Sequence, residues 1–334
     1  MTGMARKIGR VALVVLVALV TVLSGAWGAL ALWYQLPVGT TMRAVISVLW
    51  VLAILALLLL AAIQRSWWPL LGYVAAYALL LGWWATIKPS NDRIWSDDVA
   101  QLLTGKVEGN QVTLSNVRNF TWRSDENYDI HWETRRYDLD HLSSADAVLS
   151  YWGSPAIAHA MISFGFDDGR HIVFSVEIRK ERSESYSPIG GFFRQFETIL
   201  VAADEHDIIR VRTNVRNEDD YLYPLRMDKR AMRELFLSYV REANELAEKP
   251  EFYNTLTSNC TTIVYRMAKQ ISPGLPRDHR LLLTGYLPGY LYDVGVVDRS
   301  MSLEQLREHS RITERARQSG PDDDFSLSIR AGGH

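Results

Sequence analysis

"AHAMISFGFDDGRHIVFSVEIR", residues 158–179, alternates apolar and polar positions on either side of an Asp-Asp-Gly triplet. Period-two alternation rich in aromatic and β-branched residues predicts two strands. The triplet suits a three-residue hairpin loop, with Gly169 in the left-handed conformation. Phe166 then pairs with Arg170, and the register sets His159 opposite Glu177. One face collects His159, Met161, Ser163, Ser175, Glu177 and Arg179; the other collects Ala160, Ile162, Phe164, Phe166, Ile172, Phe174, Val176 and Ile178. The second set is a core face. A slip of one residue would mix the two sets, which argues for this register.

Three readings of the polar face compete. It is a solvated sheet face, as antiparallel sheets often have. Or it is a site, with His159 as general base and Glu177 or Ser175 orienting it. Or it binds a metal, against which stands the lack of a second histidine at ligand spacing.

The only cysteine, Cys260, lies in "TLTSNCTTIVYRMAKQ", residues 255–270. Polar residues precede it, and Ile263, Val264 and Met267 follow at helical spacing. The sequence therefore places Cys260 where a loop becomes a helix. A lone cysteine is commonly a buried small hydrophobe. At a helix start, backbone N–H groups and the helix dipole instead favour a thiolate. A single cysteine also excludes an intramolecular disulfide.

The chain has 334 residues and a formal net charge of -2, which gives no sign of nucleic-acid binding. Its first part is unlike the rest. Val11 to Trp33, Ala44 to Ile63 and Trp67 to Ile87 are almost wholly apolar, each near the roughly 20 residues that cross a bilayer as a helix. Trp33, Tyr34, Trp67, Trp68, Trp83 and Trp84 stand at their ends, as interfacial aromatic belts do. Arg6, Lys7, Arg10 and Arg65 outweigh Arg43, so the positive-inside rule puts the N-terminus in the cytoplasm and everything after Lys88 outside.

Three domains are expected: a membrane domain over residues 1–88, a soluble domain over 89–300 and a charged, partly disordered tail over 301–334. The fold class is α+β, an antiparallel sheet domain with helices after three transmembrane helices. "KVEGNQVTLSNVRNFTWR" predicts short strands about a Gly-Asn turn, and "HDIIRVRTNV" a further strand. Met232, Leu235, Phe236, Tyr239 and Val240 mark an amphipathic helix. No nucleotide-binding signature is present, and neither a cofactor nor a metal is expected.

Several long stretches resemble one family. "LSNVRNFTWR", "RRYDLDHLSSADAVLSYWGSPAIAHAMISFGF", "FSVEIRKERSESYSPIGGFFRQFE", "VAADEHDIIRVRTN" and "FYNTLTSNCTTIVYR" are similar to the Lnb-type N-terminal periplasmic domain family of bacteria. The likeness runs from about Val112 to Tyr265 and more weakly to Val297. It implies a permuted papain-like (NlpC-type) thiol enzyme, in which the histidine strand precedes the cysteine helix. The namesake is an intramolecular lipoprotein transacylase. By this resemblance Cys260 is the nucleophile and His159 its base, with Glu177 and Ser175 beside them. Asn259, Thr261, Arg179 and Tyr186 are then expected to bind substrate, with the Cys260 and Thr261 N–H groups and the Asn259 side chain holding an oxyanion. The implied partners are a membrane lipid or lipoprotein substrate and the bilayer, with the soluble domain on the periplasmic side of the inner membrane. A thiol hydrolase, amidase or peptidase of the cell envelope, or a catalytically silent membrane-anchored binding module, are the other functions this sequence admits.

Overall fold

The structure is a computed structural model in which residues 2–332 are described. The chain forms two compact units. One runs through Pro89 and takes in Ser187–Gln195; the other comprises Ser90–Tyr186 and the chain from Phe196 onward.

The first unit holds helices α1 (Thr2–Gln35), α2 (Thr40–Gln64) and α3 (Trp68–Thr86), all long and apolar enough to cross a membrane. Most of their large apolar side chains are exposed, a surface that suits lipid and not water. Where the helices meet, small residues let them approach. A Cβ on Gly25 would stand 2.6 Å from Ile54, and one on Gly28 would stand 2.8 Å from Leu80. Ser187–Gln195 packs on the ends of these helices. The Phe193 ring stacks on Tyr34 at 5.6 Å, and Gln35 Nε2 donates to the Phe193 and Arg194 carbonyls.

The second unit is built on one eight-stranded sheet. Its strands are β1 (Thr104–Glu108), β2 (Gln111–Arg118), β5 (Trp132–Asp138), β6 (Leu142–Tyr151), β7 (Ala158–Phe166), β8 (His171–Arg179), β9 (Glu197–Ala203) and β10 (Asp219–Pro224); β3 (Thr121–Trp122) and β4 (Tyr128–Asp129) form a small separate ribbon. The order is β1-β2-β9-β8-β7-β6-β10, with β5 also paired to β2. All pairs are antiparallel except β2 with β9, so the sheet is mixed, although the expected α+β class stands. The β7–β8 hairpin has the register read from the sequence. Phe166 and Arg170 close it, Gly169 has φ 83°, and Met161 pairs with Ser175.

Both faces of the sheet are covered. On the apolar face, Phe164, Phe174 and Ile162 pack beneath α5 (Lys229–Glu248) and α6 (Cys260–Ile271). All five residues that marked the amphipathic helix are buried on α5. On the other face, Met161, Val173 and Val201 are covered by α4 (Glu205–Arg210) and by the C-terminal region.

Three expectations change here. The polar face of the hairpin is not solvated, because His159, Ser163 and Ser175 are all buried. "HDIIRVRTNV" is not a strand; it forms α4 and a π turn at Val211–Val215. Its β-branched residues favour a strand locally, but Ile208, Ile209 and Val211 gain more by burial at helical spacing. Nor does the tail fray over its described residues, 301–332. After α7 (Leu287–Val294) come α8 (Leu303–Ser310), α9 (Thr313–Gln318) and α10 (Phe325–Arg330). Ile312, Ala316, Phe325 and Ile329 are buried on the sheet, an apolar stripe that the surrounding charge obscures in the sequence.

Candidate active site

Four neighbouring strands put four polar residues in one row. Asp220 on β10 pairs with Ser150 on β6, Ser150 pairs with His159 on β7, and the hairpin register continues to Glu177 on β8. Residues at one level of adjacent strands share a face, so the row is a direct product of register. His159 Nε2 lies 2.6 Å from Ser175 Oγ and 3.1 Å from Glu177 Oε1, and Ser175 donates to the same carboxylate oxygen at 2.7 Å.

Above the row lies Arg212, in the π turn that follows α4. It donates to Glu177 Oε1 at 3.0 Å and to Glu218 Oε2 at 3.1 Å. Ser150 Oγ donates to both Glu218 and Asp220. Helix α4, which leads into the turn that carries Arg212, is itself anchored. Asp207 accepts two bonds from Arg118, at 2.9 and 3.0 Å, and two more from the Phe120 N–H and the Trp122 indole.

Cys260 comes to this row from the other layer. It is the first residue of α6, buried, and close enough to the His159 ring for each group to shift the other's protonation. With Nε2 turned to Ser175 and Glu177, Nδ1 is the ring nitrogen left for sulfur. Burial by itself would favour neutral forms of both groups. For Cys260 it is outweighed by the neighbouring imidazolium, helped by the Ala160 N–H and the Thr261 hydroxyl, so the thiol lies below its usual range. For His159 burial is outweighed by Glu177, and the ring is raised to about 9. Glu177 is held well below the ordinary carboxylate range, burial notwithstanding, by His159 and Arg212. Both shifts run in the direction of a thiolate beside an imidazolium.

The other expected residues divide. Asn259 caps α6: its Oδ1 accepts from the Thr261 and Thr262 N–H groups at 3.0 and 2.9 Å, and its Nδ2 donates to the Thr255 carbonyl. The Thr261 N–H and one of the two Asn259 amide hydrogens are therefore already bonded, to the Asn259 oxygen and to the Thr255 carbonyl. The cap leaves the Cys260 N–H outside its bonds. The Thr261 hydroxyl lies 3.8 Å from the thiol sulfur. Arg179 is away from the site. Its guanidinium donates to the Val99 and Ala100 carbonyls and to Asn91, and stacks 4.3 Å from the Trp95 ring centre. It folds the start of this unit onto β8. Tyr186 is 55% exposed and close enough to feel the Cys260 charge, which with burial raises its hydroxyl. Among the described residues no group of three or more His, Cys, Asp or Glu could hold a metal ion.

Arg212, Glu218, Asp220 and Ser150 were not singled out from the sequence. Arg212 was hidden by reading its segment as a strand. The other three become visible only through the pairing of β6 with β7 and β10.

Residues 128–285 match the family described as the Lnb N-terminal periplasmic domain. This is the family that the sequence resembles. No curated protein and no solved structure matches the chain. The matched Lnb segment contains Cys260, His159, Ser175, Glu177 and Arg212, while the apolar helices and the C-terminal helices flank it. Three helices able to cross a membrane, followed by a segment that matches the Lnb N-terminal periplasmic domain, fit a membrane-associated periplasmic protein.

Proposed function

We propose that this protein is a cysteine-dependent acyltransferase, held at the periplasmic face of the inner membrane by three spans and acting on a lipid or lipoprotein ester. The observation that carries the reading is the buried Cys260–His159–Glu177 constellation, in which an imidazolium fixed by a carboxylate favours thiolate. The Cys260 sulfur attacks the ester carbonyl carbon and a C–S bond forms. The Cys260 N–H at the start of α6 is aimed at the developing oxyanion. The tetrahedral intermediate collapses, and the departing alkoxide takes the proton from His159 Nδ1. The acyl group now rests on sulfur as a thioester. An amine attacks it, His159 accepts the amine's proton, and the amide leaves with thiolate restored. This is the permuted papain-like chemistry that the family likeness suggests.

The test is to incubate the full chain with a lipid ester and look for an acyl-thioester on Cys260, then add an amine. Transfer of the acyl group to the amine supports the transferase. Release to water alone indicates a hydrolase, and no thiol reactivity indicates a binding module. Acylation should follow a bell in pH. Its acid limb lies below the usual thiol range, and its basic limb lies near 9, where His159 loses its proton.

A further inference from the structure

Beside the site, on the apolar side of the sheet, is a cavity of about 310 Å³. Its floor is made by small residues. Ala147 on β6 and Ala160 on β7 stand on the face that further along carries Phe164 and Phe174. Its walls are Val264 and Ala268 of α6, Leu235 of α5, and Leu287 and Leu291 of α7. Its two tyrosine hydroxyls are already committed: Tyr265 donates to the Leu275 carbonyl and Tyr290 to the Pro276 carbonyl, each at 3.0 Å. The interior therefore presents carbon. Polar, exposed side chains occur at one rim, Arg226, Asp228 and Ser272. Toward the site the lining is Thr261 and Ala160, and both act on Cys260: the Thr261 hydroxyl lies 3.8 Å from its sulfur, and the Ala160 N–H favours its thiolate.

We infer that this cavity holds a single acyl chain, with its carbonyl end at Thr261 beside the Cys260 sulfur and its methyl end among α6 and α7. The inference rests on the reading of Cys260 as the acceptor of an acyl group, and it adds where the hydrocarbon goes and how much of it fits. A volume at the low end of small-ligand pockets, about 300–1,000 Å³, suits one chain and not a diacyl lipid. A sugar or peptide would lose its hydrogen bonds to water and find carbon in return. An acyl chain drawn from a membrane exchanges hydrocarbon for hydrocarbon, so its transfer costs little.

The experiment uses a fatty acid bearing a diazirine at its methyl end, with the full-length Cys260→Ala protein in phosphatidylcholine vesicles. Without the thiol, labelling reports binding alone. The expected result is crosslinking within α6 and α7, competed by unlabelled palmitate, and lost in both Ala147→Phe and Ala268→Phe. These fill the cavity from opposite walls, so a misfolded variant on one side leaves the other as the test; far-ultraviolet circular dichroism checks both. Labelling confined to the three apolar helices, or α6 and α7 labelling unchanged by both substitutions, overturns the proposal. Alkylation of wild-type Cys260 by iodoacetamide is read separately. An inert thiol with crosslinked α6 and α7 removes the chemistry and keeps the cavity; a reactive thiol without those crosslinks does the reverse.

Discussion

Two arginines lie on the same face of the sheet, Arg212 buried and Arg330 half-buried, each between carboxylates, and their surroundings differ. Arg330 of α10 donates to Glu205 and to Asp146 at 2.7 Å, and Ser163 donates to Glu205 at 2.6 Å. Asp146 and Ser163 are cross-strand partners on β6 and β7. Arg212 spans Glu177 and Glu218 above the row Asp220–Ser150–His159. Both rows are therefore polar levels of the same two strands, with the apolar pair Val148–Met161 among the residues between them. The Arg330 cluster joins the C-terminal helix to the sheet, and the histidine near its carboxylates, His171, turns Nδ1 to the Gly169 carbonyl. The Arg212 cluster has one carboxylate beyond what its arginine bonds. Asp220 Oδ2 has no hydrogen-bond partner, and burial raises this carboxyl to about 7, with Ser150 and Arg212 only partly opposing. A closed ion pair is a fastener. A cluster with an unsatisfied acid is a place where protons are exchanged or tuned.

The sharpest break in the comparison comes from removing each arginine. Arg212→Met and Arg330→Met should each cost about 3–5 kcal/mol, the usual effect of leaving a buried charge unpaired. Urea denaturation measures this. Only Arg212→Met should also move the pH profile of Cys260 alkylation. Equal shifts in both variants would mean that the two clusters are not functionally distinct.

Glu177→Gln makes a smaller and more selective change. It removes the anion that holds His159 at about 9, so the ring loses charge at neutral pH and the thiol loses its cation. Iodoacetamide alkylation of Cys260 should shift upward by about one to two pH units. An unmoved profile would show that Glu177 holds β8 to Arg212 and does no more. Part of the stability follows the same charge. A histidine raised above its unfolded value stabilises fully below pH ~6.5, and that contribution is lost as pH rises through about 9. The wild-type melting temperature should carry this loss at alkaline pH, and Glu177→Gln should carry less of it.

The smallest effect is at Asp220. Its folded-state value is raised, so its contribution is fully present below pH ~4 and is lost as pH rises through about 7. Asp220→Asn should match wild type near pH 4 and exceed it at pH 8, by roughly 2–4 kcal/mol. Thermal melts at the two pH values decide it. A variant less stable at both would show that the carboxylate is needed by Arg212 in its charged form.

Much of this site was legible. Alternation through residues 158–179 and a single glycine in the turn were enough to set His159 opposite Glu177, because a hairpin register is local and a slip would expose its core face. Helical spacing after Cys260 located the start of α6. Asn259 also caps α6 with the Thr261 and Thr262 N–H groups, since a residue suited to hold an oxyanion is equally suited to cap a helix. Arg179 shares the strand and the face of Glu177, yet its partners come from residues 91–100, far away in sequence.

The sequence by itself determined three membrane-length apolar helices, the β7–β8 hairpin, the amphipathic α5 and the position of Cys260 at a helix start. Each depends on a short-range pattern: run length, period two, period 3.6, or a break between polar and apolar residues. Only the tertiary structure decided that Arg212 reaches Glu177, that Ser150 and Asp220 extend the histidine row, and that the C-terminal helices bury the second face. Those outcomes depend on which strands become neighbours and on α4 and its π turn packing across them. They are fixed by burial shared among segments 35 to 184 residues apart, and such shared burial leaves no periodic mark on any one of them.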